Sequence, residues 1–275
     1  MAVNVYDPRA IAGIRRASRA AAATLASVGA RLRPGVTTAM IDAWVREDTA
    51  RCGGRPSQLG YHGFPASVCT SRNDVICHGI PSPSVVLRSG DILNVDVTTE
   101  LDGFHGDTSA TFLIGDVGPQ ARRLVACARA ARDAGIAAIR PGARLGDIGA
   151  AIVATARAAG FSVVADYGGH GIGRAMHEAP HVSHVGRAGT GLRLRPGMCL
   201  TVEPMINEGR AEGRVAADGW TVRTADGGWS AQFEHTVCVT PEGVEVLTIA
   251  APPGPENGAR PPAGDLVSSA GGGGR

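Results

Sequence analysis

The chain contains no lysine; all 27 of its basic residues are arginine. Schiff-base catalysis and the phosphate-binding lysine of a P-loop are therefore excluded. With 39 glycines and many alanines beside it, this bias reads as codon composition rather than function. The six cysteines (Cys52, Cys69, Cys77, Cys127, Cys199 and Cys238) include no C-x-x-C pair, which argues against a zinc knuckle or a thioredoxin motif. A reduced, cytosolic set is the simplest interpretation, and the expected location is the cytoplasm. There is no G-x-S-x-G elbow, so a serine hydrolase is not expected. There is no long apolar run at the start of the chain: Ala20 to Ala30 is too short and too alanine-rich to cross a bilayer. The arginine-rich start has the composition of a mitochondrial presequence, but Asp7 counts against one. Nor is there an excess of charge of one sign. Arginine at 27 against 25 acidic residues leaves a net charge of +2, with no nucleic-acid footprint. What is present is a 275-residue chain, 44% hydrophobic and 19% charged, as expected of a globular protein.

Apolar residues at three- to four-residue steps (Ile11, Ile14, Ser18, Ala21, Leu25, Val28, Leu32) predict a first helix, stopped by Arg33-Pro34-Gly35. Thr37 or Thr38 caps a second, carrying Ile41, Trp44 and Val45. A third runs from Pro119 to Ile139 and a fourth carries Leu145, Ile148, Ile152 and Val153, stopping at Gly160. Strands are predicted at Asp91 to Thr99 and Phe104 to Ile114, joined by a turn at Leu101-Asp102-Gly103, and again at Met198 to Ile206 and Gln232 to Val239. Residues 1–250 are expected to form one domain. The stretch from Ala251 to Arg275, rich in Pro, Gly, Ser and Ala, is expected to be a disordered tail.

The helix–helix–strand–strand order occurs twice. Arg33-Pro34-Gly35 recurs as Arg140-Pro141-Gly142, Gly90 as Gly197, and Asp96 falls on Glu203, all at an offset of 107 residues. Asp107 corresponds to Glu234 after about 20 additional residues in the second hairpin. If Asp102-Gly103 is a two-residue turn, Thr98 pairs with Asp107, and Asp96 and Asp107 are diagonal neighbours roughly 7–8 Å apart on one face. Asp102 itself is a turn residue. Asp96, between Val95 and Val97, is not so easily explained, because an unpaired carboxylate within a strand is costly. The repeat adds Glu203 and Glu234, making four carboxylates expected at strand centres. With one imidazole they suit a first-row divalent ion such as Mn, Fe, Co or Zn. Two histidines, His78 and His170, stand among glycines that let a cleft close on them. The run Gly169–Gly173 lacks both the G-x-G-x-x-G spacing and a following lysine, so it is not a nucleotide loop. His177-Glu178-Ala179-Pro180-His181 matches H-E-x-x-H, but that motif works only on a helix and Pro180 would break one.

The segments Leu59-Gly60-Tyr61-His62-Gly63-Phe64-Pro65, Asn73-Asp74-Val75-Ile76-Cys77-His78-Gly79-Ile80-Pro81, Asp102 to Ser109, Gly169 to Gly173, Thr201-Val202-Glu203-Pro204-Met205 and Gln232-Phe233-Glu234-His235-Thr236 closely resemble those of the type I methionine aminopeptidases. The likeness covers Pro8 to Thr248. It implies an α+β pita-bread fold of two pseudo-symmetric halves around a central antiparallel sheet. It also implies removal of the initiator methionine from nascent polypeptides whose second residue is small, by hydrolysis with two divalent metal ions (Co, Mn, Fe or Zn). In that resemblance Asp96 chelates one ion, Asp107 and Glu234 bridge both, and His170 and Glu203 hold the other. A water between the ions is the nucleophile and Glu203 the proton shuttle. His78 and His177 contact the scissile amide and the tetrahedral intermediate. Tyr61, Phe64, Cys69, Met176 and Trp220 line the methionine pocket. Backbone oxygens of Asn73, Val75 and Ser230 hold a monovalent cation.

Gln58 departs from the small residue usual at the pocket rim, and Phe64 and Met176 stand where the best-known bacterial members have Tyr and Phe. The resemblance further implies a monomer, no membrane or sequence-specific nucleic-acid partner, and transient contact with the ribosome. The enzymatic alternative is a prolidase-like Xaa-Pro peptidase of the same fold. The non-enzymatic one is a binding protein that has lost its metals, against which the intact ligand set argues.

Overall fold

In the computed structural model, residues 3–249 are described. The expected tail from Ala251 and the Met1-Ala2 start lie outside them. Helix α1 (Pro8–Gly29) opens on Asp7, whose carboxylate accepts from Ala10 N at 2.7 Å, with Pro8 at its first position. It ends short of Arg33-Pro34-Gly35. That triplet instead forms a turn in which Gly35, at φ 92°, directs its N–H to Leu87 O at 2.8 Å. Helix α2 (Thr38–Arg51) is capped by the Thr37 hydroxyl. Short strands β1 (Arg55–Pro56), β2 (Cys69–Arg72) and β3 (Val75–Cys77) precede the long hairpin of β4 (Ile92–Leu101) and β5 (Phe104–Leu113). Leu101 pairs with Phe104, so the loop is the two residues Asp102-Gly103, both at positive φ, as a tight hairpin turn requires.

The second half begins with α3 (Pro119–Ala137) and α4 (Leu145–Ala158), followed by β6 (Ser162–Val163), β7 (Gly168–Gly171), β8 (Glu178–Ser183), β9 (Cys199–Val202) and β10 (Met205–Asn207). A ribbon of β11 (Gly213–Val215) and β12 (Val222–Thr224) leads to β13 (Ser230–Gln232), β14 (His235–Val239) and β15 (Val244–Val246). The repeat extends to individual hydrogen bonds. Gly142 N donates to Leu194 O (3.0 Å) as Gly35 N does to Leu87 O, and the bridge Thr37–Val86 recurs as Arg144–Arg193.

Two predicted strands are broken. The segment expected as one strand from Met198 to Ile206 is β9 and β10, separated at Glu203-Pro204; that from Gln232 to Val239 is β13 and β14, separated at Phe233-Glu234. Proline has no N–H to continue a ladder. The pieces also join different sheets: β9 pairs with β14 and β7, whereas β10 pairs with β13 and β6. Glu203 and Glu234 thus sit at strand breaks and not at strand centres, while Asp96 and Asp107 lie within β4 and β5.

All ladders are antiparallel. The two halves meet where β5 lies beside β14. There Glu234 N donates to Ser109 O (3.0 Å), and the Thr236 hydroxyl donates to Asp107 O (2.8 Å) while accepting from Asp107 N (3.1 Å). Helix α1 covers β4 and β5, so closely that a Cβ on Gly106 would lie 2.2 Å from Ser18 N. Because side chains alternate along a strand, Asp107 faces away from that helix. Separate apolar cores fill the halves, one around Leu25, Ile41, Leu93 and Val95, the other around Leu124, Ile148, Ile152 and Leu200. Among the described residues no helix is long and apolar enough to cross a membrane.

Candidate active site

On the face of the sheet away from α1, the structure brings Asp107, His170, Glu203 and Glu234, all buried, and the half-buried Asp96 into one cluster. The hairpin register places Asp96 opposite Ser109 and Thr98 opposite Asp107, as the two-residue turn predicts. The Thr98 hydroxyl then donates to Asp107 Oδ1 at 2.8 Å. His170, on β7, has Nε2 3.8 Å from Asp107 Oδ2 and 3.6 Å from Glu203 Oε1. Its Nδ1 lies 3.0 Å from Gly171 O, so Nδ1 carries the proton and Nε2 presents a lone pair to the carboxylates. Glu203 is held by the Thr201 hydroxyl (2.7 Å) and by Gln232 Nε2 (3.2 Å).

The electrostatics follow from burial of like charges. Burial pushes the Glu203 carboxyl up to about 8 and Asp107 up to about 6. Asp96 and Glu234 lie well above the usual carboxylate range, through burial first and then the charge of Asp107. Burial also lowers His170 to about 3 and His177 to about 4, keeping both imidazoles neutral.

The donor set fits divalent cations. Asp107, His170 and Glu234 offer ligand atoms within 4.8 Å of one another, and Asp96 Oδ1 and Glu234 Oε1 are buried with no hydrogen-bond partner. A cation would satisfy the orphaned carboxylate oxygens and offset the crowded acids, and hard oxygen donors with a neutral imidazole suit a first-row divalent ion.

A cavity opens onto this cluster. Tyr61, Phe64, Cys69, His78, Met176, His177 and Trp220 line it together with Gln58, Thr98, Asp96 and Asp107. His177 Nδ1 is 2.8 Å from the Tyr61 hydroxyl, and the His177 ring centroid is 4.2 Å from that of His170. Phe64 and Trp220 meet edge to face at 5.1 Å, and His78 stands 6.3 Å from Trp220. The H-E-x-x-H segment is not helical: His177 precedes β8, and Pro180 and His181 lie within that strand. Of Asn73, Val75 and Ser230, the first and last are joined directly: Ser230 N donates to Asn73 O at 2.9 Å, while Val75 pairs with Arg223.

The site also uses residues that sequence reasoning passed over. His184 is buried and accepts the Glu203 N–H at Nε2 (3.2 Å), while Thr98, Thr201, Gln232 and Thr236 each hold a carboxylate or its strand. Thr98, Thr201 and Thr236 stand two residues from Asp96, Glu203 and Glu234, a spacing that a period-two count could have singled out. His184 carries no comparable local signal.

Comparison with known proteins places the chain beside one group. The pattern of metallopeptidase family M24 matches residues 12–241. Methionine aminopeptidase A of Synechocystis sp. is 50% identical over 247 residues, covering 90% of this chain and 98% of that protein. The crystal structure of methionine aminopeptidase from Rickettsia prowazekii superposes with a TM-score of 0.89 at 44% identity, covering 90% of this chain and 100% of that one. Prolidase from Pyrococcus furiosus shares the fold (TM-score 0.72) at only 18% identity, with 90% of this chain and 66% of that one covered.

Proposed function

We propose that this chain, which belongs to metallopeptidase family M24 and removes N-terminal methionine as the methionine aminopeptidases of that family do, holds two divalent ions on Asp96, Asp107, His170, Glu203 and Glu234 and acts on nascent chains whose second residue is small. One observation carries the finer reading: the cavity that would receive the methionine side chain ends on the carboxylates of Asp96 and Asp107. A bound methionine therefore brings its own peptide bond to the acidic cluster.

When bound, the ions supply Lewis-acid polarisation and a water of lowered pKa. The chain's own residues do the rest. Phe64, Met176, Cys69 and Trp220 give the thioether an apolar wall and exclude water from it. The Tyr61 hydroxyl lies 2.8 Å from His177 Nδ1; in the tautomer in which Nδ1 accepts that proton, the neutral imidazole keeps a proton on Nε2 and offers it to the oxygen that gains charge in the transition state. His78, at φ 56°, faces the same cavity and contacts the scissile amide. Glu203, fixed by Thr201 and Gln232, carries a proton from the attacking water to the leaving amine. His184 holds the Glu203 backbone and thereby its aim.

A bulky second residue would overpack a narrow mouth beside the hydrogen-bonded pair Tyr61 and His177, a cost that apolar contact does not offset. The same reading gives a monomer at work in the cytoplasm, in transient contact with the ribosome. It also puts a monovalent cation on the backbone oxygens of Asn73, Val75 and Ser230, supported by the hydrogen bond that joins those segments. The test is cleavage of Met-Ala-Ser, Met-Leu-Ser and Ala-Pro peptides, with metal content measured on the same sample. Met-Ala-Ser should be cut, and Met-Leu-Ser and Ala-Pro should be nearly inert. Comparable kcat/KM for Met-Leu-Ser and Met-Ala-Ser would refute the narrow mouth, and preferential cutting of Ala-Pro would favour the prolidase chemistry.

A further inference from the structure

We propose that Gln58 is a positioning residue for the carboxylate cluster, its side-chain amide standing in for the strand partner that β4 lacks between Asp96 and Thr98. The inference rests on the metallopeptidase reading above. Strand β4 has β5 along one edge, and β1 and β2 share the other. β1 pairs with Thr99 and Glu100, and β2 begins opposite Asp96 at Cys69. Between them the chain leaves the sheet, loops outward through Tyr61 and Phe64 to build the cavity wall, and returns at Cys69. The last main-chain bond before it departs runs from Ser57 N to Thr98 O at 2.9 Å.

The gap this leaves lies at the residues that matter most. Asp96 presents a carboxylate to the cluster, and Thr98 orients the carboxylate of Asp107. The Gln58 side chain turns back into the gap. Its Nε2 donates to Asp96 O at 2.8 Å, and its Oε1 accepts from Thr98 N at 3.3 Å. Only one orientation of the amide satisfies both, because a backbone oxygen can only accept and a backbone N–H can only donate. The residue is 6% exposed, so neither backbone group would have water as a substitute partner if the amide were removed.

A side chain that merely filled space would not need both polar atoms directed at β4. Gln58 instead continues the ladder across the interruption, holding the Asp96–Thr98 step extended while the main chain builds the pocket. The carboxylates of Asp96 and Asp107 are thereby fixed before any cation arrives. This is the service that outer partners perform for metal ligands.

The experiment compares the full chain with Gln58→Met, which keeps the length and the apolar bulk but removes both hydrogen bonds. After chelator treatment each protein is titrated calorimetrically with Mn²⁺, and circular dichroism verifies the fold. The variant should bind Mn²⁺ about 10-fold or more weakly, the scale for losing an outer partner of a ligand. KM for Met-Ala-Ser at saturating Mn²⁺ should change by a smaller factor than the Mn²⁺ affinity, because the wall retains its volume. Equal Mn²⁺ affinity in a folded Gln58→Met protein would overturn the proposal. Should the variant not fold, hydrogen exchange in the parent chain decides. Mn²⁺ that slows the Thr98 amide more than the Leu101 amide supports the coupling, and an equal change at both overturns it. Neither Mn²⁺ measurement involves peptide hydrolysis. A parent chain that leaves Met-Ala-Ser intact would therefore count against the peptidase reading alone.

Discussion

Replacing His177 by alanine separates a metal centre built on the carboxylates from one built on H-E-x-x-H. His177 lies beside the cluster but outside it: Nδ1 is engaged by Tyr61 at 2.8 Å, and Asp107, His170 and Glu234 offer their ligand atoms without it. His177→Ala should therefore retain its metal. What it loses is one hydrogen-bond donor to the oxygen that becomes charged, a loss of about 10²–10³ in kcat, or roughly 2.7–4 kcal/mol. His181 is exposed, and its ring lies over Gly168, whose added Cβ would come within 2.7 Å of it. Its replacement by alanine should change stability by no more than about 0.5 kcal/mol and leave kcat and metal content near parental values. Asp107→Ala should differ from both. It deletes the carboxylate that faces His170 Nε2 and leaves the Thr98 hydroxyl without its acceptor, so metal and activity should vanish together. The assay is metal stoichiometry by elemental analysis beside kcat for Met-Ala-Ser on all three proteins. Metal loss in both histidine variants, with Asp107→Ala still loaded, would refute the assignment and restore the zincin geometry.

Chelation should abolish activity and lower Tm, and Mn²⁺, Co²⁺ or Fe²⁺ should restore both. At 100 times Kd the ion contributes about 2.7 kcal/mol, so a calorimetric Tm that ignores added metal would contradict the fit. Tyr6→Phe should loosen the turn that carries Met176 and His177, because the Tyr6 hydroxyl stands 2.7 Å from both oxygens of Glu178 and shares its one proton with that carboxylate. The expected cost is about 1.5–3 kcal/mol for a bond to a charged group, with a fall in kcat, and unchanged thermal melting would contradict it. Burial and Glu178 push the Tyr6 hydroxyl from its usual 10.0 up to about 12, so its stabilising contribution is present below pH 10 and disappears as pH rises towards 12. Tyr6→Phe should flatten that alkaline limb in Tm measured against pH. Gly106→Ala should force α1 off β5, since the new Cβ meets backbone atoms of Ser18 at 2.2 and 2.3 Å; about 1–3 kcal/mol or more should be lost in urea unfolding.

Local and periodic signals carried much of this protein by themselves. The four helices follow from apolar spacing and caps, because a helix closes its hydrogen bonds within its own segment. The β4–β5 hairpin and its register follow from the Asp102-Gly103 turn, which fixes by two-residue geometry that Asp96 and Asp107 share a face. The offset of 107 residues foretold a two-fold arrangement that extends to the Gly35 and Gly142 hydrogen bonds. Pro180 alone was enough to disqualify the H-E-x-x-H helix. Tertiary structure decided the rest. Glu203 and Glu234 lie at strand breaks because each flanking strand pairs in a different sheet, and partners so distant in sequence leave no local trace. The convergence of Tyr61, His78, Met176, His177 and Trp220 on one cavity, the bond from Glu203 N to His184, and the bridging of β4 by Gln58 all join segments far apart along the chain. Periodicity records which face of an element is apolar. It does not record which distant element will cover that face, and the active site is made of those long-range choices.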